Sequence, residues 1–258
     1  MKYKQINVKS AINRITSSDF LFEGRYTIDP YQRCEFQCSY CDSSDNTILI
    51  KNNIQQILEE ELREIEKAPV ILGSVHDPYQ KAEKKYNKTR EVLKRLKKHD
   101  FPVHILTKST LILKDLDLLT SLHSCRVTIS IVSLKEKVTN CFEKKLPSSQ
   151  NRLNTVQKLS ENNVEAGVAI MPIFPYIVED ELNQVVKQAK KHKAAYLLYK
   201  HLELKGDQKD SFYQSLKQCF PSLIQKYRQL YCDSYQPNKE YIDSLNQKVK
   251  KICKKHGF

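Results

Sequence analysis

Residues 23–41 read EGRYTIDPYQRCEFQCSYC and carry both the first sign of the fold and the main sign of chemistry. EGRYTID, at 23–29, reads as a short β-strand. Three cysteines, Cys34, Cys38 and Cys41, follow in the loop after it. We therefore expect a strand whose carboxyl end leads into a loop that can point three thiols at one centre.

Strand and helix patterns alternate from there toward the carboxyl terminus. Further strands are predicted at 70–74 (VILGS), 103–107 (VHILT), 126–132 (RVTISIV), 165–173 (EAGVAIMPI) and 195–199 (AYLLY). Helices are predicted between them, at 50–66, 81–98, 114–121 and 179–192, with one more starting after Pro147 behind a hydroxyl cap. Beyond residue 207 the pattern is wholly helical.

This alternation indicates parallel strands joined by right-handed crossovers. Six strand–helix units fill about 200 residues, whereas a complete eight-unit barrel usually needs about 250. The sequence therefore predicts an α/β fold, a partial (β/α)6 TIM-type barrel, with a doubly wound open sheet as the alternative. We divide the chain into an N-terminal segment (1–22), the barrel (23–206) and a helical C-terminal extension (207–258).

The composition excludes several classes of protein. Of the 258 residues, 40% are hydrophobic and 28% are charged, which is close to the average for folded domains and excludes a disordered chain. Five glycines exclude collagenous and low-complexity chains. The chain contains no run of 18 apolar residues, and its start lacks the apolar stretch of a secretory signal. We expect a cytoplasmic protein that does not enter a membrane.

The charge balance is basic, with 43 Lys and Arg against 30 Asp and Glu and a net charge of +13. Such a balance makes nucleic acid, or another polyanion, a plausible partner. The basic residues are spread over helical patterns, however, including 81–98, 187–193 and 248–255. We favour their interpretation as solvated faces of amphipathic helices, so charge alone does not assign a partner.

The chain has eight cysteines, which in a cytoplasmic protein we expect to be thiols, metal ligands or catalytic groups rather than disulfides. The three in the loop have the spacing C-x3-C-x2-C, and thiolates suit zinc or iron–sulfur clusters. A structural zinc site would need a fourth ligand, and no second CxxC or HxxxH pair supplies one. A 4Fe–4S cluster on three cysteines keeps one iron open for reaction. The scattered cysteines are interpreted as buried inert thiols: Cys125, Cys141, Cys219, Cys232 and Cys253.

With Tyr40 before its last cysteine, the triplet resembles the cluster motif of the radical S-adenosylmethionine (radical SAM) enzymes. In that family three cysteines bind a 4Fe–4S cluster whose open iron chelates S-adenosylmethionine. One electron from the reduced cluster cleaves the sulfonium and gives a 5′-deoxyadenosyl radical, which abstracts a hydrogen atom from the substrate. The resemblance implies a 4Fe–4S cluster on Cys34, Cys38 and Cys41, S-adenosylmethionine as cofactor, and an electron donor such as flavodoxin or ferredoxin.

Further motifs follow in the same order as in one branch of that family, the spore photoproduct lyase-related or DNA repair photolyase-like enzymes. They are DPYQRC at 29–34, DPYQ at 77–80 with Glu83, FPVHILTKS at 101–109, and the residues Phe142, Glu143, Pro147, Arg152 and Leu153. The similarity spans about residues 20–205. It implies a lyase that acts on a DNA lesion. Protein, RNA or small-molecule substrates of the same radical chemistry are the alternatives, as is a non-catalytic metal-cluster module that binds nucleic acid.

The resemblance and the ends of the predicted strands together suggest cofactor-binding residues. Tyr40 is expected to pack by the cluster with its backbone near the adenine, or simply to pack the loop. Asp77 could accept a hydrogen bond from the methionine amino group, or cap the turn before Pro78. Lys108, next to Ser109 at the end of the third strand, could meet the methionine carboxylate or a substrate phosphate, or could be a solvated lysine.

Two further candidates lie deeper in the predicted barrel. Ser130 could reach the ribose, or be a small core residue bonded to the backbone. Arg152 could hold the cofactor carboxylate, but we favour an ion pair with Glu143. Cys141 is the best-placed hydrogen-atom donor. We interpret three histidines as structural and the aromatic residues of the extension as packing: His76, His104, His201, Phe212, Phe220, Tyr227, Tyr231, Tyr235 and Tyr241.

Overall fold

The computed structural model describes residues 1–16 and 21–258; residues 17–20, part of the predicted N-terminal segment, lie outside it. The strands, in chain order, are β1 (Lys2–Ile6), β2 (Ile12–Arg14), β3 (Tyr26–Ile28), β4 (Tyr31–Gln32), β5 (Thr47–Lys51), β6 (Val70–Leu72), β7 (Val103–Thr107), β8 (Cys125–Ser130), β9 (Glu165–Ile173) and β10 (Leu197–His201). The helices are α1 (Ile54–Glu64), α2 (Glu83–Tyr86), α3 (Lys88–Lys98), α4 (Leu116–Leu119), α5 (Glu136–Phe142), α6 (Ser149–Glu161), α7 (Leu182–Lys191), α8 (Gln208–Cys219), α9 (Ile224–Tyr231) and α10 (Lys239–His256). Short 3-10 helices occupy Thr110–Asp115 and Pro221–Leu223.

The main sheet settles the fold class. Its parallel strands follow one another in the order β3-β6-β7-β8-β9-β10, and β2 pairs antiparallel with β3 at one edge. The order in space follows the order in the chain, whereas a doubly wound sheet reverses its strand order at a switch point. The predicted partial (β/α)6 barrel is therefore confirmed, and the doubly wound alternative is wrong.

The core lies between the sheet and the helices that cover it. All three residues of β6 are buried, as expected for a parallel strand covered on both faces. The helix after Pro147 starts as predicted, because Ser148 caps it by accepting a hydrogen bond from Asn151 N–H at 3.2 Å.

The helical extension packs onto the barrel through aromatic rings. Phe142 of α5 stacks on Phe212 of α8, with ring centroids 5.2 Å apart. Tyr227 and Tyr231 of α9 are buried as well. The interpretation of these aromatic residues as packing is confirmed, although Tyr235 remains 46% exposed.

Two stretches differ from the helices predicted for them. Residues 47–51 form strand β5, which lies between β1 and β4 in a second, three-stranded sheet, so the helix expected over 50–66 begins only at Ile54. The helix expected over 81–98 is divided into α2 and α3 at Asn87, whose φ of 52° is left-handed. The buried Glu83 carboxylate then accepts hydrogen bonds from backbone N–H groups in the first turn of α3.

The expectation that every cysteine is a free thiol or a ligand is wrong for one pair. Cys141 of α5 and Cys219 of α8 form a disulfide, which joins the barrel covalently to the helical extension. A disulfide sulfur carries no hydrogen, so the structure contradicts Cys141 as a hydrogen-atom donor. Across residues 1–16 and 21–258, every helix is too short or too polar to cross a lipid bilayer.

Candidate functional site

The cysteine loop, residues 33–45, begins after β4 and is closed by backbone hydrogen bonds. Cys34 N–H donates to Ser43 O at 2.7 Å, and Asp45 N–H donates to Cys34 O at 3.2 Å. Midway round the loop, Ser39 N–H donates to Phe142 O at 3.1 Å. The loop is therefore fixed both to itself and to the carboxyl end of α5.

Residues outside the cysteine loop hold Glu35, which lies between the first two cysteines. Gln80 bridges two backbone groups, donating to Arg33 O and accepting from Glu35 N–H, each at 3.0 Å. The Glu35 carboxylate in turn accepts from Ala82 N–H at 2.6 Å and from the Tyr3 hydroxyl at 3.1 Å. Gln80 belongs to the DPYQ motif at 77–80, but the sequence pattern gives no sign of its part in shaping the loop or of the part of Glu35.

The three cysteines line one cavity of about 130 Å³ at the carboxyl ends of β6 and β7, here called the thiol cavity. Cys34 and Cys38 are buried, and Cys41 is half-buried. Burial raises the pKa of Cys34 to about 12 and raises that of Cys38 as well. Thiolates at these positions therefore need positive charge beside them.

Lys108 brings one such charge to the thiol cavity. Burial acts to lower the pKa of Lys108, but the negative groups round it, chiefly Cys38, Cys41 and Glu143, raise it overall. The Lys108 ammonium also lies 5.8 Å from the centre of the Tyr40 ring. The structure thus brings Tyr40 and Lys108 together at the cysteines.

Asp77 lines the same cavity, with most of its hydrogen-bonding capacity already in use. Its carboxylate accepts from Thr107 Oγ1 and Lys108 N–H, each at 2.7 Å, and from Tyr79 N–H at 2.9 Å. The contact with Tyr79 is the turn-capping interaction that the sequence suggested. Burial raises the pKa of Asp77. A carboxylate has about four acceptor positions, so one is left for a ligand.

A larger cavity of about 410 Å³ opens beside the thiol cavity; we call it the barrel-mouth cavity. The two share Ser74, Leu106 and Lys108 as lining residues. Tyr40 and Ser130 also line the larger cavity, and the Ser130 hydroxyl donates to a backbone carbonyl of β9 at 3.3 Å. The remaining lining residues come largely from the carboxyl ends of β9 and β10 and from the segment after β10, and include Met171, Pro172, Lys200, His201, Glu203, Lys205 and Gln208.

A buried chain of polar groups connects Tyr40 to the end of β8. The Tyr40 hydroxyl donates to the Glu143 carboxylate, and Arg152 Nη2 pairs with that carboxylate at 2.6 Å. Arg152 Nη1 donates to Ser130 O at 2.9 Å, and the side chains of the ion pair are 0% exposed. The favoured ion pair is therefore present. The alternative, in which Arg152 holds the cofactor carboxylate, stays a prediction: both Nη atoms are engaged, whereas the buried Nε has no hydrogen-bond partner among the described residues.

A family comparison accounts for this arrangement. The family model described as "Radical SAM superfamily" matches residues 28–189, which include all three loop cysteines and run from the last residue of β3 into α7. The chain belongs to the radical SAM superfamily. Membership implies S-adenosylmethionine and an iron–sulfur cluster.

Two relatives of this radical SAM protein are uncharacterized proteins. One, from Mycobacterium tuberculosis, is 26% identical over 275 residues and covers 98% of this chain and 81% of its own length. The other, from Methanocaldococcus jannaschii, is 26% identical over 238 residues, with 88% of this chain and 86% of the relative covered. Both relatives match most of this chain, and the name of neither one states an activity.

Solved radical SAM structures show the same fold. A cysteine-to-serine mutant of spore photoproduct lyase has a TM-score of 0.72 at 15% identity, over 99% of this chain and 79% of that one. SuiB from Streptococcus suis, bound to S-adenosylmethionine, has a TM-score of 0.53 at 13% identity, over 78% and 47% of the two chains. At such low identity the likeness establishes the fold alone.

The structure does not bring every candidate residue of this radical SAM protein to the thiols. Ser109 Oγ accepts from Leu111 N–H at 3.2 Å and caps a 3-10 turn, and Ser109 lines a different cavity on the far side of Phe36. His104 is buried, with Nε2 at 2.7 Å from Thr128 Oγ1, so its structural interpretation is confirmed. His201, in contrast, lines the barrel-mouth cavity.

The donor set suits a cluster better than a single ion. In the part of the chain that the structure describes, no three His, Cys, Asp or Glu side chains form a group that could hold a metal ion. Structural zinc requires four ligands that converge on one point. A 4Fe–4S cluster spreads its thiolates over separate irons, so three thiols that line a cavity fit it.

Proposed function

We propose that this radical SAM protein is an enzyme that holds one 4Fe–4S cluster on Cys34, Cys38 and Cys41 and cleaves S-adenosylmethionine reductively. One observation carries the proposal. The thiol cavity opens, past Ser74, Leu106 and Lys108, into the barrel-mouth cavity, which offers space for a cofactor beside the thiols. When bound and reduced, the cluster supplies the electron that splits the cofactor sulfonium into methionine and a 5′-deoxyadenosyl radical.

The chain's own residues bind and orient the cofactor in this proposal. Lys108 offsets the negative charge of the thiolates and donates to the methionine carboxylate. Asp77 uses its remaining acceptor position for the methionine amino group. Tyr40 packs beside the adenine and is held in place by Glu143, and Ser130 Oγ bonds the ribose.

We propose a DNA lesion as the substrate and a lyase reaction as the outcome. One solved neighbour is a spore photoproduct lyase complexed with a dinucleoside spore photoproduct, and it has a TM-score of 0.71 at 14% identity. The net charge of +13 supports a polyanionic partner. A groove of about 770 Å³ between α8 and α9 adds three cations, Lys209, Lys217 and Arg228, against one carboxylate, Asp210, beside the Tyr213 ring. Cations with an aromatic ring suit a nucleic-acid strand.

The cellular setting and the division of the chain are part of the same proposal. A flavodoxin or ferredoxin supplies the electron, in the cytoplasm. Residues 23–206 carry the radical chemistry, the N-terminal segment adds β2 to the edge of the main sheet, and the extension 207–258 contributes the groove for the substrate.

Anaerobic cofactor cleavage tests the chemistry. The protein is reconstituted with iron and sulfide, reduced with dithionite and given S-adenosylmethionine, and 5′-deoxyadenosine is measured by chromatography. The wild type and Cys253→Ala, which removes a half-buried cysteine of α10, should form product, whereas Cys38→Ala should not. A wild type that binds four irons per chain and forms no product would contradict the proposal and favour a non-catalytic cluster module.

Salt-dependent DNA binding tests the substrate class. If the three cations of the groove each meet a phosphate, log Kd against log salt concentration should have a slope of about 2.7 from them alone. The variant Lys209→Gln/Lys217→Gln should lower that slope by about 1.8, and Lys94→Gln/Lys97→Gln, on exposed positions of α3, should leave it unchanged. A flat salt dependence of the wild type would contradict DNA and direct the search to a protein or small-molecule substrate.

A further inference from the structure

A third cavity, of about 410 Å³, borders the cysteine loop at Phe36; we call it the lysine-lined cavity. Its apolar lining consists of Phe36, Tyr79, Leu111, Leu146 and Pro147. Four lysines surround this lining: Lys81, Lys84, Lys114 and Lys145. An apolar centre with a charged rim is the usual anatomy of a protein docking surface.

Phe36 separates this cavity from the thiols. It lines both the lysine-lined cavity and the thiol cavity, and only 4% of its surface is exposed. A partner seated on the lysines is therefore one aromatic side chain away from the space between the cysteines. Electron tunnelling falls steeply with distance, so a partner that only delivers an electron gains from this position.

The charges of the lysine-lined cavity favour an acidic partner. Lys114 is already paired with Glu83 at 2.8 Å and with Asp115 at 3.1 Å. Lys81 and Lys84 are exposed, and the structure gives neither an ion pair among the described residues. Lys145 is exposed too and donates to the neutral side-chain amide of Gln37. Lys81 and Lys84, three positions apart, therefore present the cavity's uncompensated positive charge together with Lys145.

A neighbouring opening at the cysteine loop has the reverse charge. This opening, of about 420 Å³ beside Cys38 and Cys41, is lined by Asp45, which pairs with Arg33 at 2.9 Å, and by Asp42 and Asp207, which have no ion pair among the described residues. An acidic protein would be repelled by those two carboxylates and attracted to the lysines. The two openings together set the direction of approach.

We propose, resting on the proposed function, that the lysine-lined cavity is the docking site of an acidic electron-transfer protein of the flavodoxin or ferredoxin class. One electron leaves the reduced carrier, which is oxidised, and passes by Phe36 to the centre held by the cysteines, which is reduced. The substrate uses a different entrance. Among the described residues, those lining the lysine-lined cavity are distinct from those lining the barrel-mouth cavity, where Tyr40 and Ser130 lie.

Charge reversal tests the docking site on the reconstituted holoenzyme. The test variant is Lys81→Glu/Lys84→Glu, and the matched control is Lys94→Glu/Lys97→Glu, which changes the net charge equally at two exposed positions of α3 with the same spacing. The first readout is the Kd of oxidised flavodoxin at low and high salt. The second is 5′-deoxyadenosine formation driven by reduced flavodoxin, compared with formation driven by dithionite.

The test variant should bind flavodoxin about tenfold or more weakly than the control at low salt, with the difference shrinking at high salt. Its flavodoxin-driven rate should fall accordingly, while its dithionite-driven rate equals that of the control. Equal flavodoxin affinity in the two variants would overturn the docking site. So would a test variant that loses duplex-DNA affinity and keeps flavodoxin affinity, because the lysines would then serve the substrate. A wild type inactive with dithionite would instead refute the proposed function.

Discussion

Breaking the buried Glu143–Arg152 pair should cost much more stability than breaking an exposed pair. Both side chains are 0% exposed and their charged atoms are 2.6 Å apart. Arg152→Met leaves the Glu143 carboxylate buried without its counter-charge. Removing one partner of a buried pair costs about 3–5 kcal/mol, because the remaining charge stays desolvated. For a chain of this length that corresponds to a fall in Tm of roughly 6–20 °C.

Urea unfolding followed by circular dichroism measures this loss, with a surface pair as the control. Lys193 and Glu161 pair at 3.1 Å, with side chains 56% and 42% exposed. Lys193→Met should cost no more than about 1 kcal/mol, since solvent screens such a pair. Each variant removes one positive charge, so the difference between their losses of unfolding free energy reports the effect of burial.

A double-mutant cycle completes the test. Glu143→Gln/Arg152→Met leaves no uncompensated charge, so its loss should be smaller than the sum of the two single losses by roughly 0.5–3 kcal/mol. A loss below about 1 kcal/mol for Arg152→Met, or strict additivity in the cycle, would refute the argument that this pair behaves as a desolvated unit.

Three further predictions concern a turn, a covalent link and acid stability. Gly73 has φ +90°, and a Cβ added there would lie 2.1 Å from a backbone oxygen of β7. Gly73→Ala should therefore lower the free energy of unfolding, measured in urea, by more than about 2 kcal/mol. The control Gly206→Ala, at φ +52° with open space around the added Cβ, should lower it by about 1 kcal/mol. Thiol titration of the unfolded, non-reduced protein should find six free cysteines, and two more after reduction of Cys141–Cys219; eight before reduction would disprove the disulfide. The pKa of Glu59 is lowered from 4.5 to about 2, chiefly by the hydrogen bond from Lys98 of α3. The ionised Glu59 carboxylate therefore stabilises the fold fully above pH 4.5, and this contribution is lost as the pH falls toward 2. Glu59→Gln should flatten this part of the stability–pH profile, and an unchanged profile would exclude the contribution.

Sequence periodicity predicted the barrel because its strands are marked locally. β7 and β9 were predicted to the residue, since each is a run of apolar or small residues flanked by helical patterns. β5 was missed because its Ile48 and Ile50 pack in a small separate cluster and pair with a strand more than 40 residues away. A pattern read over a dozen residues contains no sign of such a distant partner.

The candidate site was predictable to the same extent. The cysteine spacing is a local signal, so the three thiols were found, and the motif that contains Glu143 and Arg152 led to the prediction of their ion pair. The hydrogen bond between Tyr40 and Glu143 joins residues 103 positions apart, and the Cys141–Cys219 disulfide spans 78. Contacts this distant arise from the way the barrel closes, which one sequence does not reveal.

The cysteine loop is held entirely by the polypeptide, and this affects how the protein can be prepared. Cys34 is hydrogen-bonded to Ser43, Glu35 to Gln80, and Ser39 to Phe142. The conformational entropy of the loop is thus lost when the chain folds rather than when iron arrives. None of these hydrogen bonds passes through a metal, so we expect the loop to keep its conformation when the metal is lost and to accept new iron and sulfide without unfolding of the chain. The strand nearest the amino terminus is bonded to that loop through Tyr3, and an affinity tag is better placed at the other end of the chain.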